Sequence, residues 1–265
     1  MSPASAILFS ALFGLAIGSF LNVIMDRLPA GGSLVRGRSH CDSCGRALRP
    51  WDLAPVASYL LLRGKCRYCG SRIPRRVLAV EVAAGLLFAL AAWQLGATAQ
   101  GVIAMTFASI LIVVFVIDLE HRLVLDAVTY PSAAFALAVV PWGPVGNGEA
   151  SLRAAYLDAL YGVALGGAVL LLIYLVAVLV FRREAIGFGD VKLGVLLGVM
   201  LGFTGALVTL DVAFIGGGIV AILLLALKIR RRGQYIPFGP FLVSGALVSL
   251  FWGEAIFDWY WSLLS

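Results

Sequence analysis

Long apolar runs constrain this chain more than any other feature of its sequence. Of its 265 residues, 62% are hydrophobic and 13% are charged, whereas soluble domains carry roughly 25% charged residues. A helix that crosses a bilayer needs about 20 mostly apolar residues, and runs of that kind recur along the whole chain. The sequence therefore predicts an all-α polytopic membrane protein.

The apolar runs predict eight transmembrane helices. The fourth run contains two prolines, and only a short turn near Asp211 separates the sixth run from the seventh, so these two could also form a reentrant pair. The predicted helices cover residues 5–25, 77–97, 100–119, 127–143, 156–181, 190–208, 211–228 and 237–258.

The distribution of basic residues predicts the orientation in the membrane, because cytosolic loops carry an excess of Lys and Arg. Alternation through eight helices places all of the basic residues except Arg153 on the side of the first loop, which is then cytosolic, with both termini outside. The net charge of +6 thus comes from basic residues on one side of the membrane and does not indicate nucleic-acid binding. Most of the loop's arginines are expected to contact anionic lipid. The basic residues on the predicted cytosolic side are Arg27, Arg36, Arg38, Arg46, Arg49, Arg63, Lys65, Arg67, Arg72, Arg75, Arg76, Arg122, Arg182, Arg183, Lys192, Lys228, Arg230, Arg231 and Arg232.

Two C-x-x-C pairs lie in the first loop, Cys41 with Cys44 and Cys66 with Cys69. This spacing is typical of a zinc ribbon, in which four thiolates fill one tetrahedral site. Since no position is left for water, the predicted Zn²⁺ is structural, and it would supply much of the folding energy of the loop. Cytosolic thiols stay reduced, which favours metal over disulfides, but a redox pair or a rubredoxin-type iron site remains open.

Three aspartates are predicted at the cytosolic face, where acidic residues near membrane helices are functional candidates. Asp118 ends the third helix, Asp126 precedes the fourth, and Asp190 opens the sixth in Gly187-Phe188-Gly189-Asp190. When two carboxylates lie close together, one keeps a proton near neutral pH. The ionised one can then accept a proton from water while the other polarises a carbonyl. Helix capping by Asp126 or Asp190, and an ion pair of Asp118 with Arg122, are the structural alternatives.

Together with these features, further motifs resemble those of the type IV prepilin peptidases, membrane aspartyl proteases with a G-x-G-D motif. The resembling segments are 18–23, 27–29, both cysteine pairs, 52–55, 58–60, 80–81, 118–120, 187–192 and 237–240. The resemblance implies a protein of the bacterial inner membrane that cuts the leader from type IV prepilins or type II secretion pseudopilins at the cytosolic face. It also implies methylation of the new N-terminal amine with S-adenosylmethionine, since family members with the cysteine loop carry both activities.

The resemblance assigns roles to particular residues. Asp118 and Asp190 match the catalytic pair, and Asp126 matches a second acidic position that ranks behind Asp118. Glu81 and Asn22 are the best candidates for binding the methyl donor. We expect residues 1–98, with the four-cysteine zinc loop at about 27–76, to serve methylation, and residues 99–265 to form the peptidase domain.

Three other functions remain to be compared with this one. A peptidase without methyltransferase activity would need the same aspartates. A non-catalytic membrane scaffold would dock partners through its zinc loop and use the aspartates only as caps. A transporter fits less well, because its acids would lie near the bilayer midplane. The sequence makes no prediction of the oligomeric state.

Overall fold

The computed structural model describes residues 2–34, 37–143, 151–181, 187–228 and 237–264. Within these ranges the chain forms eight α-helices and two short 3-10 turns, and extended pairing is limited to isolated bridges. This confirms the all-α prediction. The helices are α1 Pro3–Arg27, α2 Ala57–Leu61, α3 Arg75–Leu95, α4 Ala99–His121, α5 Asp126–Val139, α6 Leu152–Phe181, α7 Phe188–Ala226 and α8 Gly239–Leu264.

Six of the described helices, namely α1, α3, α4, α6, α7 and α8, are long and apolar enough to cross a membrane. Many of their large apolar side chains are exposed, including Phe9 and Leu12 on α1 and Ile215 on α7, as expected of surfaces that face lipid. The fourth predicted helix is present as α5, which has 14 residues and contains Pro131. The prediction of a polytopic membrane protein is confirmed.

Helix α7 contains the sixth and seventh predicted helices as two arms that reverse direction at Gly202, where φ is 66° and ψ is −168°. Just after this break, the Ser249 hydroxyl of α8 donates to the Gly205 carbonyl at 2.9 Å. Further along the second arm, the Phe214 ring lies 5.2 Å from that of Phe238, beside the start of α8. The first arm also begins near the start of α8. A Cβ atom on Gly239, the first residue of α8, would lie 3.4 Å from the Oδ1 atom of Asp190, which is in the first turn of α7. The arms are therefore antiparallel.

The sequence predicted that the turn between the two arms lies near Asp211, and this prediction is wrong. Asp211 lies exposed within the second arm, and the Asp158 carboxylate of α6 accepts the Phe203 N–H at 3.1 Å. A Cβ atom on Gly202 would collide with that carboxylate, and a positive φ suits glycine best. The helix therefore breaks at Gly202, and the Asp158 side chain of α6 caps the N–H group that follows the break.

The chain divides into two compact units, residues 1–113 and 114–265. In the first, α1 packs closely on α3, since a Cβ on Gly18 would lie 2.7 Å from the Glu81 Cα. In the second, α6 and α7 pack backbone to backbone, since a Cβ on Gly166 would lie 2.5 Å from the Gly194 carbonyl oxygen. Small residues permit such contacts between membrane helices.

The orientation in the membrane stays a prediction. Several of the basic residues on which it depends, Arg36, Arg182, Arg183, Arg230, Arg231 and Arg232, lie outside the described residues.

Candidate functional site

Two buried carboxylates meet in the second unit. Asp118 lies in the last turn of α4 and Asp190 in the first turn of α7, and each is 4% exposed. A Cβ built on Gly239, the first residue of α8, would lie 3.4 Å from the Asp190 Oδ1 atom and 2.9 Å from the Asp118 Cγ atom. Three helix ends that are far apart in sequence therefore bring two acidic side chains to one point.

Asp190 uses its two carboxylate oxygens differently. The Gly187 N–H donates to Oδ2 at 3.1 Å, and the Asp190 N–H donates to the Gly187 carbonyl at 3.0 Å. The first of these bonds is one half of a capping box, in which the carboxylate at the third helical position accepts the N–H of the N-cap residue. Asp190 therefore caps the helix start from within the first turn, with Gly187 as the N-cap residue, and is not itself the N-cap that the sequence allowed. Oδ1 faces Gly239 instead. The capping bond thus holds the carboxyl group in an orientation that directs its second oxygen towards Asp118.

The Asp118 carboxylate is held at the end of α4. Arg122 closes this helix with a φ of 57°, and its N–H donates to the Asp118 carbonyl at 2.8 Å. The Oδ2 atom of Asp118 is buried and has no hydrogen-bond partner in the part of the chain that the structure describes. A buried polar atom without a partner is costly, and such atoms are concentrated where a protein binds or transforms something.

Asp126 lies in a different environment from this pair. It is the first residue of α5, its side chain is 53% exposed, and its Oδ1 atom accepts from the Lys192 Nζ atom at 2.6 Å. The Lys192 ammonium also lies 5.7 Å from the centre of the Tyr130 ring. Asp126 therefore links α5 to α7 through an ion pair at the surface.

The four cysteines of the first unit form one cluster, in which all sulfur atoms lie within 4.8 Å of one another. Both pairs sit on the same kind of turn. The Gly45 N–H donates to the Cys41 carbonyl at 2.8 Å, and the Gly70 N–H donates to the Cys66 carbonyl at 2.9 Å. Zn–S bonds of about 2.3 Å in a tetrahedral site place sulfurs about 3.8 Å apart, and Cys41 and Cys69 have this separation, 3.8 Å. The cluster can hold a metal ion.

The Ser71 hydroxyl lies between two of these sulfurs, 3.5 Å from that of Cys41 and 3.1 Å from that of Cys69. Its hydrogen bond lowers the pKa of Cys41 to about 6 and also lowers the pKa of Cys69. Since the thiolate is the form that binds metal, Ser71 favours ligation by Cys41 and Cys69. Against a backbone hydrogen bond at Arg46 that lowers it, desolvation and the neighbouring Cys69 and Cys41 sulfurs raise the pKa of Cys44 to about 11.

Asp52 connects the second cysteine pair to the segment between the pairs, a contact that sequence reasoning missed. Its side chain is 3% exposed and accepts from Arg67 Nε at 2.7 Å, from the Tyr68 hydroxyl at 2.9 Å and from the Arg49 N–H at 3.1 Å. The Arg67 guanidinium lowers the pKa of Asp52, with help from the other two donors. The contact with the Arg49 N–H is local, within one turn, but no local spacing signals the contacts with Arg67 and Tyr68, which belong to a different turn.

Both methyl-donor candidates line one cavity of about 250 Å³ in the first unit, together with Tyr59 and Arg76. Asn22 donates through Nδ2 to the carbonyls of Gly18 and Val77, both at 3.2 Å. Its Oδ1 atom is buried without a partner among the described residues.

Glu81, the other candidate, accepts the Val56 N–H at 2.7 Å. Val56 has a φ of 59°, which is rare for a β-branched residue. Strained backbone of this kind is often found at functional sites. Glu81 therefore stabilises an unusual turn close to the cavity wall.

Two family profiles match the chain. The Bacterial Peptidase A24 N-terminal domain covers residues 12–95, and the Type IV leader peptidase family covers residues 105–222. No solved structure matches the chain.

Several named proteins match most of this chain. A prepilin leader peptidase/N-methyltransferase of Pseudomonas aeruginosa is 32% identical over 277 residues, which cover 96% of this chain and 93% of the relative. A protein of the same name from Myxococcus xanthus is 38% identical over 219 residues, or 82% of this chain and 62% of the relative. A third, from Legionella pneumophila, is 31% identical over 94% of this chain and 92% of its own length. With two buried aspartates, a four-cysteine cluster and these matches, the chain belongs to the type IV leader peptidase family.

Proposed function

We propose that the protein cleaves the leader peptide from type IV prepilins or pseudopilins and then methylates the new N-terminal amine. The observation that carries this proposal is the meeting of Asp118 and Asp190 at Gly239. An aspartyl peptidase requires two carboxyl groups close together, and two buried carboxylates meet here at the ends of membrane helices. The names of the relatives, which join both activities, supply the substrate class and the second reaction.

Peptide hydrolysis needs only water and two carboxylates in opposite protonation states. The ionised carboxylate accepts a proton from water as the water oxygen bonds to the scissile carbonyl carbon, and the protonated carboxyl group donates to the carbonyl oxygen. The C–N bond then breaks as the carboxyl group that took the proton from water gives it to the amine nitrogen, and the hydroxyl formed from the carbonyl oxygen returns its proton to the other carboxylate, which restores the pair. Burial of both side chains excludes bulk water and strengthens these interactions.

We assign the pair to Asp118 and Asp190 rather than to Asp126 and Asp190. Asp118 has a buried oxygen without a partner among the described residues, whereas Asp126 is half exposed and engaged by Lys192. A carboxylate already paired with an ammonium group at 2.6 Å is poorly suited to exchange protons with a substrate. Asp126 then serves to connect α5 and α7.

Methylation is assigned to the first unit. S-adenosylmethionine, when bound, supplies a methyl group on a positively charged sulfur. Asn22 offers a buried acceptor, Oδ1, to a ligand in the cavity. Glu81 holds the backbone of Val56 in place beside it. On this account residues 1–98 bind the methyl donor and the amine, and residues 99–265 cut the leader.

The metal is proposed to be Zn²⁺ with a structural role, held by Cys41, Cys44, Cys66 and Cys69. Four thiolates complete a tetrahedral sphere. The protein is a multi-pass protein of the inner membrane, and we propose that the cysteine loop and the acidic pair face the cytosol, with both termini in the periplasm.

The test is incubation of the purified protein with a prepilin and S-adenosylmethionine, followed by the intact mass of the product. We expect a mass that corresponds to the trimmed pilin plus one methyl group. A trimmed product without the methyl group would leave only the peptidase. An unchanged prepilin, with protein shown to be folded, would favour a non-catalytic scaffold.

A further inference from the structure

We propose that Gly239 is a positioning residue of the peptidase site, because its missing side chain leaves free the space between Asp118 and Asp190 where water and the scissile peptide react. The inference rests on the proposed peptidase function and adds a third helix end, the start of α8, to the two that carry the aspartates.

Residue 239 has no space for a side chain beside the two carboxylates. A Cβ atom at residue 239 would collide with the Asp118 Oδ2 atom and would lie 3.4 Å from Asp190 Oδ1. It would therefore touch one oxygen of each carboxylate. A water molecule that hydrogen-bonds to both carboxylates needs the same region. Any side chain at this position would take the place of the reactants or push the two carboxylates apart.

The Gly239 backbone has little freedom to move away from the two carboxylates. The Phe238 carbonyl accepts the N–H groups of Phe241 at 3.0 Å and of Leu242 at 3.2 Å, which begins α8 at Gly239. The Phe238 ring is stacked on Phe214 of the second α7 arm at 5.2 Å. The start of α8 is therefore anchored to the second arm of α7.

The N-terminus of α8 also acts electrostatically on the Asp118 carboxylate. The N-terminus of a helix carries a partial positive charge, and Gly239 is the first residue of a helix of 26 residues. The buried Asp118 Oδ2 atom, which has no hydrogen-bond partner in the described part of the chain, lies against this end. The close approach of the α8 backbone thus places this positive helix end beside the Asp118 carboxylate, and only glycine permits that approach.

The experiment compares Gly239→Ala with Gly218→Ala in the purified full-length protein. Gly218 lies on α7, and a Cβ atom added there would stand in open space, so it is a control for adding one methyl group to a helix. Alanine favours helices over glycine. If Gly239 were an ordinary residue at a helix start, Gly239→Ala would therefore be neutral or stabilising, whereas our account predicts that it disables cleavage.

We expect Gly239→Ala to lower kcat for prepilin cleavage by at least about 100-fold, since small displacements of reacting groups cost that much. KM should change less than kcat, because the added methyl group displaces the reacting water and carboxylates and leaves the rest of the substrate contacts in place, and methylation of a pre-trimmed pilin should stay at the native rate. Gly218→Ala should match the native protein in all three measurements. Cleavage by Gly239→Ala within twofold of native would overturn the inference.

A double variant covers the case in which Gly239→Ala does not accumulate in the membrane. Asp118→Ala with Gly239→Ala removes the carboxylate that the new Cβ atom meets, so it should restore the amount and the Tm of the protein. Failure to restore them would overturn the inference. Asp118→Asn separates this result from the proposed function. If Asp118→Asn cleaves normally, the acidic pair itself is wrong, whereas an inactive Asp118→Asn beside an active Gly239→Ala rejects only the role of Gly239.

Discussion

The cysteine cluster and the acidic pair are assembled in opposite ways. The cysteines come in two local pairs on tight turns of one loop, and Cys44 and Cys69 are exposed. Asp118 and Asp190 come from two helices, meet at the start of a third, and are buried. The first site follows from short spacings within the chain, whereas the second exists only after several membrane helices have packed.

This difference predicts how each site fails. The cysteine loop has few large buried side chains, so loss of the metal is expected to unfold the loop locally. The acidic pair is supported by the packing of α7 on α6 and α8, where glycines allow backbone contacts. It should therefore survive loss of the metal and respond to changes in helix packing.

The largest expected effect is on cleavage after a change in either aspartate. Asp118→Asn and Asp190→Asn should each lower kcat for cleavage by at least about 10⁴-fold, since groups that act as a unit cannot replace one another. Each variant should still insert in the membrane and methylate a pre-trimmed pilin. The measurement is product mass as a function of time with both substrates. Retained cleavage by Asp118→Asn would separate the buried pair from catalysis.

The next effect concerns the metal. Native protein should contain about one zinc per chain, and Cys41→Ser with Cys44→Ser should contain none, because two remaining thiolates do not complete a tetrahedral site. The double variant should lose methylation and keep most of its cleavage activity. Metal analysis and product mass on the same sample check this. Equal loss of both reactions in stable protein would show that the loop helps to build the peptidase site.

A smaller effect should follow from a change at the α7 break. Gly202→Ala should lower the free energy of unfolding by at least roughly 1–3 kcal/mol, the cost of an unfavourable backbone region, because Asp158 also occupies the space of a Cβ atom. Gly216→Ala, on the same helix with open space around it, is the control. Thermal unfolding in detergent compares them, and equal Tm values would argue against the chain reversal at Gly202.

The smallest effect is expected at Asp126. Its ion pair with Lys192 is half exposed, and pairs of that kind contribute about 0.2–1 kcal/mol. Asp126→Asn and Lys192→Met should therefore each reduce cleavage only a few-fold, with a small decrease in Tm. If Asp126→Asn abolishes cleavage in folded protein and Asp118→Asn does not, the assignment of the first aspartate must be exchanged.

How much could be predicted from the sequence differs between the two sites for the same physical reason. C-x-x-C spacing determines a metal knuckle locally, so the cluster of Cys41 and its partners was predictable. The positions of Asp118 and Asp190 at helix ends were predictable too, but not the part played by Gly239, because its contact depends on the packing of α8. Hydropathy located the two α7 arms and misplaced their turn, since the cap comes from Asp158 on another helix.

We infer that two separate sites act in sequence on one substrate, and mixing two variants that each lack one of the two activities tests this most directly. Asp118→Asn alone should leave a prepilin intact, and Cys41→Ser with Cys44→Ser alone should trim it without methylation. Combined in one detergent solution with S-adenosylmethionine, they should yield trimmed pilin with one added methyl group. The control is methylation of pre-trimmed pilin by Asp118→Asn. If that control succeeds and the mixture still yields only unmethylated or uncut pilin, the two activities are not separable as described.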